Sequence, residues 1–403
     1  MPLVAPALLA RMTDPDASAI RRMFEEGAAL KKRHGADAVF DFSLGNPDLA
    51  PPEGVVRAIE DAARSRESGR HGYMPNAGYP FARAAMAKKV SREQGVTVLP
   101  EGVVMSAGAA GALNCVLKAL LSEGDEVLVP APFFPEYAHY ARNHGGTLRP
   151  VPSRADFSLD ADTLAAALSP RTAAVLLNSP NNPTGKVYAE RDVAALAEAL
   201  TRHGERTGRF PCLICDEPYR DIVYGGRRVA PVFPLYRNAV VVSSFAKNLS
   251  LPGERLGYIA LNPAMDDFAV VSAACVFATR ILGFVNAPAF FQRVVSASWE
   301  CKADYSPYEK RRNLLASALD GAGIAYALPE GAFYLFCAVP ERAHTAGADR
   351  DDAAFCEHLK KHLVLCAPGK SFGGAGWFRM AYCVAERTIA DSAPALKAAR
   401  ESW

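Results

Sequence analysis

The feature that most constrains the fold is an alternation of short apolar runs with helical stretches, which begins near residue 102 and continues to residue 261. The apolar runs are 103–105, 127–129, 173–177, 213–214, 240–242 and 258–261. The helical patterns between them cover 109–121, a stretch from about 135, and 189–203. Apolar strands of this length, separated by helices, are typical of a largely parallel sheet that is buried on both faces. We therefore predict an α/β fold with a mostly parallel, helix-covered central sheet.

Outside this region the pattern changes, which predicts a second, smaller α+β domain. Near the N-terminus, Ile20, Met23, Phe24 and Leu30 recur at about helical spacing within residues 18–32, and residues 40–46 are expected to be extended. After residue 287 the expected elements are a long helix over 288–319, a strand over 332–338, a helix over 353–362 and a final helix from Glu386. Because 403 residues, half of them hydrophobic, exceed one simple core, we predict a large domain over residues 49–287 and a small domain from residues 1–48 and 288–403.

Composition argues against several classes of partner. Lys and Arg total 45 against 43 Asp and Glu, so no basic excess favours nucleic acid or a membrane surface. Residues 3–10 are mildly apolar, but they lack a charged segment and are too short to span a bilayer, so we expect neither a signal peptide nor an anchor. Nine scattered cysteines, an odd number, suit a reducing cytoplasm better than a disulfide framework.

Cys212 and Cys215 have the spacing of a redox or zinc motif. They fall in a predicted strand, where residues three apart point to opposite faces, whereas both chemistries need the two sulfurs together. We therefore predict a buried strand at this point, and no metal site.

Polar residues directly follow the apolar runs, at the edge where an open parallel sheet binds its ligands. After residues 103–105 come small residues that open a helix, among them Gly108, Ala109 and Ala110. Small side chains let the backbone approach a phosphate, and the helix N-terminus supplies free N–H groups. A tight turn from strand to helix would explain the same residues, so this segment alone is only a weak indication of a phosphate site.

Three further strand ends offer groups for a planar, charged ligand. The proline-rich loop after residues 127–129 contains Phe134, which could stack on a flat ring or belong to the core. The loop after the third run contains Asn182, which could aim its amide at a ligand oxygen or only form a turn. Asp216 follows the fourth run and could face a cationic ring nitrogen or cap a helix.

Lys247 comes shortly after the run 240–242 and is flanked by apolar residues. Partial burial there would lower the pKa of the amine and make it nucleophilic, whereas the alternative is a surface lysine. Together the strand ends supply a phosphate cradle, a stacking ring, partners for a ring nitrogen and an oxygen, and a nucleophilic amine. Pyridoxal 5′-phosphate (PLP) needs this combination.

The same residues carry a resemblance to a known family. Over nearly its whole length the chain resembles the class I/II aminotransferases of the fold-type I PLP enzymes, which are similar to aspartate aminotransferase. The most specific part is Ser244 and Lys247 followed eight residues later by Arg255. The motifs that carry the resemblance are Gly45-Asn46-Pro47-Asp48, Gly72-Tyr73, Gly108-Ala109-Ala110, Pro132-Phe133-Phe134-Pro135, Asn182-Pro183-Thr184-Gly185, Asp216-Glu217-Pro218-Tyr219, Ser244-Phe245-Ala246-Lys247, Glu330-Gly331-Ala332-Phe333-Tyr334 and Arg379.

The resemblance implies a role for each residue at the cofactor. Lys247 would form an imine with PLP and move a proton at the substrate's α-carbon, while Asp216 would keep the ring nitrogen protonated. Asn182 and Tyr219 would hydrogen-bond the cofactor's phenolate oxygen, and Phe134 would stack on the ring. The residues implied to hold the phosphate are Gly108, Ala109, Ala110, Ser244 and Arg255, with Tyr73 reaching the phosphate of the neighbouring subunit.

The resemblance also implies how substrates bind. Arg379 would grip the α-carboxylate through a two-point contact that a lysine could not copy, completed by the backbone of Gly45 and by Asn182. Because Arg379 lies in an apolar strand pattern, it needs an anion, and a structural carboxylate is the alternative. The family implies a homodimer with active sites at the subunit interface, an L-amino acid donor and a 2-oxo acid acceptor such as 2-oxoglutarate. Arg280 lies roughly where aspartate-type enzymes place an arginine for a distal carboxylate, although it could instead pair with a structural acid.

Two positions depart from the commoner family pattern: Ala246, where many relatives carry a hydroxyl, and Phe134, where they often carry Tyr or Trp. Rival functions were weighed against the same residues. A PLP-dependent lyase or racemase could use the same lysine and ring partners. A PLP-binding regulator of this family would usually carry a DNA-binding segment ahead of the PLP domain, for which the short N-terminus leaves no room, and a nicotinamide dehydrogenase would need a Gly-x-Gly-x-x-Gly after a strand; neither function is expected.

Overall fold

A computed structural model describes residues 3–13, 19–341 and 350–403 of the protein. The helices are α1 (Pro6–Thr13), α2 (Ala19–His34), α3 (Glu53–Arg64), α4 (Pro80–Gln94), α5 (Gly108–Leu120), α6 (Glu136–Asn143), α7 (Ala161–Ala167), α8 (Glu190–Thr207), α9 (Phe268–Ile281), α10 (Ala289–Ser298), α11 (Ser306–Ala322), α12 (Asp352–Lys361) and α13 (Glu386–Glu401). The strands are β1 (Phe40–Asp41), β2 (Val103–Ser106), β3 (Glu126–Ala131), β4 (Thr147–Pro152), β5 (Thr172–Asn178), β6 (Cys212–Asp216), β7 (Ala239–Ser244), β8 (Gly257–Leu261), β9 (Tyr326–Ala327), β10 (Tyr334–Ala338), β11 (Val364–Leu365), β12 (Ala367–Pro368) and β13 (Trp377–Ala381).

The central sheet has seven strands in the order β2-β8-β7-β6-β5-β3-β4. Strands β4, β3, β5, β6 and β7 run parallel to one another, whereas β8 is antiparallel to both of its neighbours. Helices cover both faces, so alternate residues of β6 enter different cores: Cys212 packs in one and Cys215 in the other. The predicted α/β fold with a mostly parallel, helix-covered sheet is therefore confirmed, and the two cysteines lie on opposite faces as predicted.

A second, antiparallel sheet has the order β12-β13-β10-β9, and helices α11, α12 and α13 contribute to its core. The short strand β1 pairs in parallel with β11, with Phe40 opposite Val364. This pairing joins the segment before the large sheet to the segment after it, which is the arrangement expected of a discontinuous small domain. The exact boundaries at residues 48 and 288 stay predictions.

One predicted element is wrong in its extent. The single long helix expected over residues 288–319 is two helices, because α10 ends at Ser298 and α11 begins at Ser306. Pro307 lies in the first turn of α11, where its missing N–H is tolerated, but the same residue would break a helix that continued through it. Asp304 accepts hydrogen bonds from the backbone N and the hydroxyl of Ser306 at the start of the new helix.

The other predicted helices lie close to where the sequence placed them. The helix predicted over residues 18–32 corresponds to α2, although Ser18 itself lies outside the described residues. None of the helices in the described ranges is long and apolar enough to cross a membrane. In the same ranges no cluster of His, Cys, Asp and Glu side chains has the arrangement of a metal site.

Candidate active site

Most of the predicted site residues meet in one cavity of about 360 Å³, at the carboxyl ends of the parallel strands. The predicted residues that line it are Gly45, Ala109, Ala110, Phe134, Asn182, Asp216, Tyr219, Ser244, Lys247, Arg255 and Arg379. They come from segments that are far apart in sequence, and the sheet topology brings them together. The volume is within the range of small-molecule sites.

Lys247 lies beyond the end of β7, and its Nζ donates a hydrogen bond to the backbone oxygen of Gly45 at 2.8 Å. The ammonium also lies 5.6 Å from the centre of the Phe333 ring. Burial lowers the pKa of Lys247 to about 8, and the positive charges of Arg379 and Arg255 act in the same direction. A substantial fraction of the amine is therefore uncharged at neutral to mildly alkaline pH, which is the form that attacks an aldehyde.

Asp216 is the last residue of β6 and is buried. Tyr137 donates a hydrogen bond to its Oδ2 at 2.5 Å, but Oδ1 has no partner among the described residues. Burial raises the pKa of Asp216 to about 7, although the Tyr137 hydrogen bond opposes this change. A buried carboxyl with one unpaired oxygen fits a cationic N–H group, and the ring nitrogen of PLP is such a group.

Asn178, at the end of β5, holds the two neighbouring strand ends together. Its side-chain N donates to the backbone oxygen of Asp216 at 2.9 Å, and its side-chain oxygen accepts from the backbone N of Asn182 at 2.7 Å. The position of Asn182 is thus tied to that of the buried acid. Asn178 also lines the cavity, and the sequence analysis did not single it out.

Arg379 lies in β13 and is 3% exposed. Its Nη1 donates to the side-chain oxygen of Asn182 at 3.0 Å, its Nη2 donates to the backbone oxygen of Ser43 at 2.7 Å, and its Nε has no partner among the described residues. Both partners are neutral, and no described carboxylate pairs with the guanidinium. A buried charge in these surroundings favours binding of an anion, since burial otherwise disfavours the charged form and lowers the pKa of Arg379.

One part of the cavity lining is suited to a phosphate. The helix α5 begins at Gly108, whose positive φ of 72° suits glycine, and Ala109 and Ala110 of its first turn line the cavity. Arg255 and Ser244 line the same region, and a Cβ added at position 108 would lie 3.0 Å from Nη2 of Arg255. A helix N-terminus, a guanidinium and a hydroxyl together form an anion site.

Three residues that matter to the geometry were not predicted as site residues: Tyr137, Asn178 and Tyr334, all of which line the cavity. Tyr334 ends one of the motifs that carry the family resemblance, and Tyr137 follows another by two residues, but nothing in their spacing reveals a partner. The hydroxyl of Tyr334 lies 2.8 Å from that of Tyr219, across 115 residues of sequence. Such contacts depend on how the two sheets pack against each other.

Three predicted residues are not among those that line the cavity of their own chain: Gly108, which begins α5 next to Ala109, and Tyr73 and Arg280. Tyr73 is 94% exposed, and Arg280 is exposed at the last turn of α9, where its guanidinium lies 5.0 Å from the Phe277 ring. The loop that contains Tyr73 is joined to the segment that follows α9, because the side chain of Asn286 donates to the backbone oxygen of Met74 at 3.0 Å. The predicted roles of Tyr73 and Arg280 require a second subunit and stay predictions.

The fold and the cavity define a class of protein. An α/β sheet with a buried lysine and a buried acid at its strand ends, which share a cavity with an arginine that has no anionic partner among the described residues, is the arrangement of a fold-type I PLP-dependent enzyme. Comparison with known families gives the narrower assignment. The model of the family "Aminotransferase class I and II" matches residues 37–398, and the chain belongs to this family, whose members use PLP.

Relatives of known name support the same assignment. The chain is 32% identical over 364 residues to a probable aspartate/prephenate aminotransferase of Thermus aquaticus, covering 89% of this chain and 90% of the relative. It is 30% identical over 368 residues to an aspartate aminotransferase of Geobacillus stearothermophilus, with coverage of 89% and 90%. The crystal structure of an aminotransferase from Eubacterium rectale superposes with a TM-score of 0.93 at 35% identity, over the whole of both chains. An aspartate aminotransferase from Thermus thermophilus with maleate gives 0.85 at 26% identity, covering 99% of this chain and 100% of the other.

Proposed function

We propose that the protein transfers the α-amino group of an L-amino acid to a 2-oxo acid in two half-reactions of a ping-pong cycle, with 2-oxoglutarate as the acceptor. The observation that supports this most strongly is that Lys247 and Arg379 face one cavity. One is a desolvated amine and the other is a buried cation whose described hydrogen-bond partners are neutral. Reaction of an α-amino acid requires an amine that transfers the proton of the α-carbon and a cation that binds the α-carboxylate.

The residues of the chain divide the work around the cofactor. Bound PLP supplies a ring that accepts the electrons left on the α-carbon when its proton is removed. Asp216 would hold the proton on the ring nitrogen through its unpaired Oδ1, while Tyr137 keeps Oδ2 in place. Tyr219 and Asn182 would hydrogen-bond the ring oxygen, and Phe134 would pack on the ring face. Ser244 and Arg255 would bind the phosphate together with the start of α5.

Lys247 would serve as the proton carrier at the α-carbon. Its lowered pKa suits this task, because the same amine must accept a proton and then release it near neutral pH. Arg379 would hold the α-carboxylate and so fix the α-carbon within reach of Lys247. The backbone of Gly45, which already contacts Lys247 Nζ, lies beside the same position.

The donor is proposed to be aspartate or another dicarboxylic or neutral L-amino acid. The names of the relatives support aspartate for those proteins, and the chain-wide similarity motivates its extension to this one. In our proposal the protein is a homodimer, and Arg280 reaches the partner's cavity to bind a distal carboxylate. The substitution Arg280→Ala should then reduce kcat/KM for aspartate and glutamate far more than for alanine. Equal losses for all three would rule out this role.

The experiment that tests the proposed function is a panel of amino donors and 2-oxo acceptors with the purified holoenzyme. In a single half-reaction, an amino acid without acceptor should convert the bound cofactor to its amine form and release one equivalent of 2-oxo acid. A lyase would eliminate a substituent, and a racemase would invert the α-carbon, and neither would leave the amino group on the enzyme. Absence of the amine form with every donor would contradict the proposal.

A further inference from the structure

Tyr334 contacts three parts of the cavity at once, although no role follows for it from the sequence. It is the first residue of β10 and is 2% exposed. In the antiparallel pairing of β10 with β13, Phe336 is opposite Arg379. Because side chains two residues apart on a strand share a face, Tyr334 lies on the same face as Arg379. The Tyr334 ring centre is 4.6 Å from Cζ of Arg379.

The hydroxyl of Tyr334 makes the second contact, at 2.8 Å from the hydroxyl of Tyr219. A phenol has one proton, so if Tyr219 donates that proton into the cavity, Tyr334 must be the donor in the contact between the two hydroxyls. The two rings meet edge to face, with centres 5.7 Å apart, which further limits the rotation of Tyr219.

The third contact is with the backbone of Gly45. A Cβ added at this position would collide with the Tyr334 hydroxyl, so the main chain passes directly over the phenol. The carbonyl of Gly45 is the hydrogen-bond acceptor of Lys247 Nζ. Tyr334 therefore contacts three residues: Gly45, whose carbonyl accepts a hydrogen bond from Lys247, and Tyr219 and Arg379. In the proposed function, Tyr219 binds the cofactor's ring oxygen and Arg379 binds the substrate carboxylate.

We propose that Tyr334 is a positioning residue: it donates a hydrogen bond to Tyr219, stacks on Arg379, and so fixes the cofactor-oxygen contact and the carboxylate contact relative to each other. This inference rests on the roles proposed above for Tyr219 and Arg379. Substrate carboxylate and cofactor oxygen are thereby recognised by side chains that share one rigid neighbour. Loss of the Tyr334 hydroxyl should disturb the contact with the cofactor oxygen. Loss of the whole ring should disturb that contact and the contact with the substrate carboxylate.

The test uses the pH midpoint of the visible absorption of the PLP-loaded enzyme. Tyr219→Phe removes a donor to the ionised ring oxygen. The midpoint should rise, because a hydrogen bond that stabilises an anionic oxygen favours loss of the proton and so lowers the pKa. Tyr334→Phe should raise it in the same direction by about half a pH unit, the size expected for weakening one hydrogen bond. In the Tyr219→Phe background, Tyr334→Phe should add nothing, since the two act through one contact.

A matched control removes the hydrogen bond between two other tyrosines, neither of which lines the cavity. The hydroxyl of Tyr382 donates to that of Tyr224 at 3.3 Å in the same core. Tyr382→Phe should lower the thermal midpoint of unfolding but leave the absorption midpoint unchanged. Tyr334→Leu should in addition raise the dissociation constant of a 2-oxo acid about tenfold above that of Tyr334→Phe, the effect of losing a buried cation–π contact.

Replacement of Tyr334 by 3-fluorotyrosine keeps the shape of the side chain and strengthens the donor. It should lower the absorption midpoint, and it keeps the proposal testable if Tyr334→Phe folds poorly. The proposal would be overturned by an unchanged absorption midpoint in both Tyr334→Phe and the 3-fluorotyrosine enzyme. It would also be overturned if Tyr334→Phe changed the midpoint by its full amount in the Tyr219→Phe background. An unchanged midpoint in Tyr219→Phe itself would instead contradict the role proposed for Tyr219 in the reaction.

Discussion

Asp216→Asn should weaken catalysis and strengthen the apoenzyme, and these opposite effects have one cause. The carboxyl is buried, its Oδ1 has no partner in the described chain, and its pKa is raised from 3.8 to about 7. A tenfold difference in proton affinity is worth about 1.4 kcal/mol, so the ionised carboxylate destabilises the apoenzyme by up to about 4 kcal/mol above pH 7. Asparagine has the same shape, can accept the Tyr137 hydrogen bond, and carries no charge.

The dependence on pH follows from the direction of the pKa change. A carboxyl with a raised pKa binds its proton more tightly when folded, so its contribution to stability falls as the pH rises from about 4 to about 7. The thermal midpoint of the Asp216→Asn apoenzyme should therefore exceed that of the wild type at pH 8.5, and the difference should shrink at pH 5. With PLP bound, the variant loses the ion pair at the ring nitrogen. Breaking a buried pair costs about 3 to 5 kcal/mol, so kcat should fall by about 150-fold to 5,000-fold.

Glu217 provides the matched control, because it is the next residue and its pKa is also raised to about 7 by burial. Its carboxylate pairs with Arg220 at 2.7 Å and does not line the cavity. Glu217→Gln removes the ion pair with Arg220 but no group that lines the cavity, so it should reduce kcat far less. An Asp216→Asn apoenzyme that is less stable than the wild type at both pH values, or a kcat within threefold of the wild type, would refute this reasoning.

Two further predictions concern the cations of the cavity. Arg379→Lys should lower kcat/KM by about 100-fold or more without changing the affinity for PLP, because a lysine cannot make the two-point contact with a carboxylate; an equal loss of PLP affinity would contradict this. The rate at which the apoenzyme binds PLP covalently should rise with pH, because only the uncharged amine attacks. The midpoint should lie near 8, as the lowered pKa of Lys247 requires, whereas a midpoint near 10 would contradict the desolvation argument.

The strand ends could be predicted from the sequence because one physical rule connects them. Parallel strands end at a common edge, so residues such as Asp216 and Lys247 converge whatever the details of packing. The predicted sheet therefore located the cavity as well as the fold. The prediction failed where an element departs from the apolar pattern: β4 is largely exposed at the sheet edge and contains two prolines, so no apolar run marks it.

The contacts that tune the site could not be predicted in the same way. Tyr137 approaches Asp216 across 79 residues and Tyr334 approaches Tyr219 across 115, and both contacts depend on the angle between packed elements. A tyrosine in a sequence looks the same whether its hydroxyl meets a carboxylate, another phenol or water. The positions of Tyr73 and Arg280, at the surface of a single chain, show the same limit for residues whose proposed partners belong to a second subunit.

Attachment of the cofactor to Lys247 is tested by locating the covalent bond. Borohydride reduction of the PLP-loaded enzyme fixes the cofactor to its lysine, and mass spectrometry of the peptides then identifies that residue. We predict that the added mass lies on Lys247 and that Lys247→Ala shows neither the label nor turnover. A label on another lysine, or an Lys247→Ala enzyme that turns over at the wild-type rate, would contradict the account.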